Sequence, residues 1–145
     1  MLELMRTFLA LILLPIASVA AEWPGVSYSE VRAYTYNKRG TVDAPIISHG
    51  GLSPSVINES GVALTAPQAR HLVRAVNHPN PINSAELCFQ PHHAFVFYDR
   101  HQRPVAWLEF SQVCNTVRSF PEHAGPIDLL VLGELIRELR LPAFP

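Results

Sequence analysis

The chain has 145 residues, 11 Lys and Arg against 12 Asp and Glu, and a formal charge of −1 with histidine neutral. That balance, with no basic stripe, excludes a non-specific nucleic-acid binder, which would need clustered Lys and Arg to neutralise phosphates. The length sets one ordinary domain, and the 48 % hydrophobic content overstates its apolarity because the first twenty residues are far more apolar than the rest.

Residues 1–21, MLELMRTFLALILLPIASVAA, place Arg6 before an apolar run from Phe8 to Ile16 and then small residues. This is the pattern of a secretory signal peptide, with cleavage expected after Ala20 or Ala21. The run falls short of the about 20 residues that span a bilayer, so an uncleaved anchor is the weaker alternative. No cysteine follows the run, which argues against an acylated lipoprotein. A single domain over 22–145 remains, and because Glu3 and Arg6 leave together its net charge is unchanged. No stable membrane span is expected after cleavage.

From Tyr28 to Tyr36 the residues alternate, with Val31, Ala33 and Thr35 on one side and Arg32, Tyr34 and Tyr36 on the other, which predicts a strand. Asn37 to Gly40 reads as a turn, and Pro45 to Ser48 as a short extended piece pairing back onto that strand. His49 to Gly61 is rich in Gly, Ser and Pro and reads as a surface loop; its Asn58-Glu59-Ser60 sequon is too common by chance to carry weight. Thr65 is an N-cap candidate, followed by Pro67 and by Ala69, Leu72, Val73 and Val76 at helical spacing. The expected helix covers about 66–77, with Arg70, His71 and Arg74 on its wet face, and Asn77 to Pro81 stops it.

His93 to Asp99 and Pro104 to Phe110 read as two strands joined by a polar turn over Arg100 to Arg103. A last helix is expected over about 127–140, with Leu129, Leu132, Leu135 or Ile136, and Leu139 as its apolar stripe and Pro142 after its end. The fold class is therefore α+β: a small antiparallel sheet covered on one face by the two helices, including a disulfide-stapled hairpin at about 93–110.

The staple follows from register. Facing residues of a hairpin have numbers summing to a constant, here about 202 or 203, and Cys88 and Cys114 fall at equivalent distances from the turn. In an oxidising compartment two cysteines so placed pair. Closing that loop contributes about 3 kcal/mol in the chain-entropy model. Ser111 stands where a Cys-x-x-Cys with Cys114 would need cysteine, which counts against disulfide exchange.

The competing use of these residues is zinc binding by Cys88, His93 (or His92), Cys114 and His123, although the spacing matches no standard zinc pattern and adjacent strand residues face opposite sides. A cysteine nucleophile would need a free thiol. With a register sum of 202, His93 would simply face Glu109 across the hairpin; His101 lies in the solvated turn. Asp99, Glu109, Glu122, Asp128 and Glu134 cannot be told from surface carboxylates. His49-Gly50-Gly51 is too short for a phosphate loop, and no serine-hydrolase motif is present. No catalytic residue is assigned and no cofactor is expected.

Cys88-Phe89-Gln90-Pro91-His92-His93-Ala94-Phe95-Val96-Phe97-Tyr98-Asp99, followed by Pro104 to Phe110 and Cys114, resembles a group of small exported bacterial proteins of unknown function. Their hairpin has a C-[YF]-x-P-[RH]-H-[AG]-x-x-F-Y-D first strand and a second strand ending in C-x-x-C. The resemblance covers about thirty residues well and the flanking helices more loosely. It implies a bacterial, periplasmic setting, transfers no activity, and marks His93, the motif's fixed histidine, as the candidate functional residue. This chain departs from the pattern at Ser111, which leaves Cys88 and Cys114 as the couple. The expected function is a non-enzymatic periplasmic or secreted domain that binds or protects something at the cell envelope, with an envelope protein as one candidate partner and its identity left open. The alternatives are a small metal-binding protein and an enzyme whose His and carboxylate groups lie far apart in sequence.

Overall fold

The computed structural model describes residues 21–38, 43–80 and 88–143. Residues 1–20 of the expected signal peptide, and Arg39 and Gly40 of the expected Asn37 to Gly40 turn, therefore lie outside the described residues. Five strands form one antiparallel sheet: β1 (Glu30–Thr35), β4 (Val62–Ala63), β5 (His93–Tyr98), β6 (Pro104–Ser111) and β7 (Thr116–Phe120), in the order β4-β1-β5-β6-β7. Short β2 (Ile47–Ser48) pairs with β3 (Gly51–Leu52), and the helices are α1 (Ala66–Asn77) and α2 (Leu129–Glu138). The α+β class, both helices and the hairpin stand as expected.

Alternation in β1, β5 and β6 sends one set of side chains to the helices. Val31, Ala33, Phe95, Phe97, Leu108 and Phe110 meet Leu72, Val76, Leu132, Leu135 and Ile136 in a single core. Each large side chain so buried contributes about 1.5–3 kcal/mol. Helix α1 begins with a full capping box: Gln68 N donates to Thr65 Oγ1 and Thr65 N donates to Gln68 Oε1. Helix α2 starts at Asp128, whose Oδ1 accepts from Leu130 N and Val131 N.

The sheet is covered on more than one face. Tyr34, Tyr36, Ala94, Val96 and Tyr98 form a second cluster beneath Ile46, with Leu52 and Val56 against it. Central β5 is consequently buried at every position. The covering comes from the Pro45–Ser48 region and the following loop. Residues 47–48 pair with β3 instead of returning to β1, and a single bridge joins Tyr36 to Val56. Gly- and Pro-rich composition hides such a lid, because its apolar residues are too sparse to show a period.

Within that lid, Asn58 is held by structure. Its Oδ1 accepts from Thr35 N at 2.7 Å, tying the loop to β1. Gly61 (φ +63°) is required where the chain turns into β4, since a Cβ there would lie 2.7 Å from the Tyr34 ring.

The hairpin register sums to 203 along most of its length and shifts to 202 only at Tyr98–Pro104, across a bulge. His93 therefore faces Phe110, and Ala94 faces Glu109. A one-step change puts His93 and Glu109 on opposite faces of the sheet. The expected His93–Glu109 pair does not form.

Candidate functional site

Cys88 and Cys114 are joined in a disulfide with Cα atoms 5.4 Å apart. Cys114 sits in the turn between β6 and β7, so the bond ties the approach to β5 to that turn. Around it, Thr116 Oγ1 donates to Cys88 O, and Ser111 Oγ accepts from Gln90 N at 3.1 Å and from Cys114 N at 3.3 Å. Ser111 is thus a buried clasp between the two halves of the staple.

The proposed metal ligands are dispersed in role. Both sulfurs are spent in the disulfide. His93 is fully buried on the helix side, with Nε2 donating to Pro142 O at 2.7 Å, which fixes its tautomer and pins the chain after α2. Burial depresses its pKa and so favours the neutral ring. His92 points to the other face, its Nδ1 donating to Asn37 O at 2.6 Å. His123 lies after β7. Among the described residues, no three His, Cys, Asp or Glu side chains are grouped to hold a metal.

Two arrangements were not foreseen. The first centres on Glu109, only 8 % exposed although charged residues are seldom buried unpaired. Its Oε1 accepts from Tyr36 Oη at 2.9 Å and from Ile46 N at 2.7 Å, so one carboxylate oxygen joins β6, β1 and the lid. Burial foremost, then the nearby carboxylate, raises the Tyr36 pKa far above the usual phenol value. Glu109 lines a cavity of about 190 Å³ with Asp43, Phe89 and Arg118. Arg118, directly across from Glu109 in the ladder, lays its guanidinium 3.9 Å from the centre of the Phe89 ring. Acidic and basic groups face the same small space, so this cavity favours neither a free anion nor a free cation, while the exposed Arg118 also lines a separate space along the outer edge of its strand.

The second lies along β7. Among the described residues this strand pairs with β6 alone and forms one edge of the sheet. A cavity of about 490 Å³ is lined by the consecutive residues Val117, Arg118, Ser119 and Phe120, with Glu122, His123, Gly125 and Ile127 opposite them. Successive strand residues point to opposite faces. A space lined by four in a row therefore runs along the outer backbone edge, not over either face. A second cavity of about 220 Å³ shares Val117, Gly125 and Ile127 with it and adds Pro126 and Leu129. Together they make one trough whose inner wall is the edge strand and whose outer wall is residues 122–127.

That outer wall is held at both ends. Trp23 Nε1 donates to Pro121 O at 2.8 Å, His123 N donates to Ser119 Oγ at 2.8 Å, and Asp128 N donates to Ala75 O at 2.8 Å. At its rim Phe120 is 50 % exposed and stacks on Trp107, with ring centroids 4.3 Å apart. The sequence carried one signal for this edge: TVRSF alternates between Val117 and Ser119 on one side and Arg118 and Phe120 on the other, although too briefly to separate from a loop.

No protein-family model, curated protein or solved structure matches this chain. Among the described residues, no helix is long and apolar enough to cross a membrane.

Proposed function

We propose that this chain is an exported, non-enzymatic binding domain of the bacterial periplasm or cell exterior, whose binding surface is the trough along β7. The observation that carries the reading is a pre-formed concave site beside a sheet edge that no described residue pairs with, in a frame closed by a disulfide. Disulfides persist in oxidising compartments outside the cytosol, which supports export together with the leader sequence. Ligand sites are commonly concave and already formed before binding, and the outer wall's three hydrogen bonds meet that condition. The resemblance of the hairpin to small exported bacterial proteins agrees with this setting.

The reactive groups of the hairpin are engaged in the frame: both thiols in the staple, His93 on Pro142, and Glu109 between Tyr36 and Ile46. That allocation favours binding over chemistry. Fractionation of producing cells, with N-terminal sequencing and a thiol titration of the recovered protein, tests the reading. A chain beginning at Ala21 or Glu22, outside the cytosol and without free thiols, is the expected result. A cytosolic chain with two free thiols contradicts it, as does hydrolytic turnover that is lost in Glu109→Gln.

A further inference from the structure

We propose that the trough takes an extended peptide segment of a partner protein, added to the sheet as a sixth strand beside β7, with an acidic residue opposite Arg118. This rests on the trough being the binding surface and names what binds there.

An unpaired edge presents a row of backbone N–H and C=O groups that only another extended backbone can satisfy in series. Natural proteins protect such edges with proline, bulges, inward charges or a covering segment. Within Thr116–Phe120 β7 has neither proline nor bulge, and its one charged residue is Arg118; its proline, Pro121, comes after the strand. The segment that follows stands off far enough to leave the trough open.

The side chains of β7 specify what the added strand carries. Paired residues share a face, so a residue opposite Arg118 projects beside an exposed guanidinium already held over Phe89. An opposite charge there is favourable and a like charge is not. Two positions along on that face, the half-exposed Phe120 calls for an apolar partner. On the other face, the residue opposite Val117 enters the smaller cavity, where Pro126, Ile127 and Leu129 offer an aliphatic surface. An antiparallel guest thus reads, from its N-terminus, apolar, small, acidic, aliphatic.

The same logic disfavours a second copy. Arg118 is the middle residue of β7, so full-length antiparallel pairing of two β7 strands would set one Arg118 against the other.

The test uses the ¹⁵N-labelled mature protein with its disulfide intact and the blocked peptide Thr-Phe-Thr-Glu-Val-Thr. Saturable shifts of the residue 116–120 amides, with new protection of alternate ones against hydrogen exchange, are expected at millimolar peptide. N-methylation of one alternate set of peptide amides should weaken binding about ten-fold and methylation of the other set should not, because only one set faces β7. Replacing the peptide's Glu by Lys should weaken binding about five-fold, and Arg118→Glu, at an exposed position, should reverse that preference. Absence of any β7 response, equal effects of the two methylated sets, or β7 shifts that depend on protein concentration without peptide would each overturn strand addition. If the peptides fail while Phe120 still contacts a ligand in cells, the trough remains the binding surface and only the strand-addition claim falls.

Discussion

Tyr36 donates its buried hydroxyl to Oε1 of Glu109 at 2.9 Å, linking the end of β1 to β6 across the intervening β5 and beneath the lid. Tyr36→Phe should cost about 2 kcal/mol, the range for a hydrogen bond to a carboxylate whose partner is left buried. A double-mutant cycle with Glu109→Gln, read from urea midpoints, should be clearly non-additive because both changes break one network. Additive losses would mean the two residues stabilise the fold independently.

Alkaline stability follows from the same cluster. Burial, the largest cause for each, raises the pKa of Tyr34, Tyr36 and Tyr98 above the ordinary phenol value of about 10. The folded state thus retains protons that the unfolded chain releases, so stability is fully present below about pH 10 and falls as pH rises past it. Phenolate absorbance at high pH should rise together with loss of structure; ionisation of all four tyrosines in a chain that stays folded would contradict this.

In acid the sign reverses for His93. Burial lowers its pKa from 6.5, so the unfolded chain takes up the proton first, and stability present above about pH 6.5 is lost as pH falls below it. The slope from this one group is at most about 1.4 kcal/mol per pH unit. Urea midpoints between pH 7 and pH 5 should fall more steeply for the natural protein than for His93→Gln, whose amide can still donate to Pro142 O. Equal slopes would show that His93 does not titrate on unfolding.

Ser111→Ala leaves Gln90 N and Cys114 N without their shared acceptor and should cost about 1–3 kcal/mol while the disulfide still forms. Replacing both cysteines by serine should cost about 3 kcal/mol more, as expected for reopening the loop. Thermal unfolding with a thiol count on each variant checks both numbers.

The elements that carry strong local signals were legible in the chain. Thr65 with Gln68, the stripe of Leu129, Leu132 and Leu135, and the alternation of His93 to Tyr98 each state their own geometry. The cysteine pairing was legible too, because it needs only a register near 202. Glu109 was not, since one step of register, set by the bulge at Phe97 and Tyr98, decides whether it faces His93 or Tyr36. The trough was hidden because β7 is short and its outer wall, residues 122–127, takes position from contacts with Trp23 and Ala75 far away in sequence. Nearest-neighbour patterns do not encode such contacts.

The central claim is that binding occurs along β7, and in-cell photo-crosslinking tests it most directly. With p-benzoylphenylalanine in place of Phe120 at the trough rim, or of the 66 % exposed Leu130 on α2 as a control, the natural host should yield discrete adducts from position 120 and none from position 130. Adducts that are the same from both positions, or absent from position 120, would contradict the account.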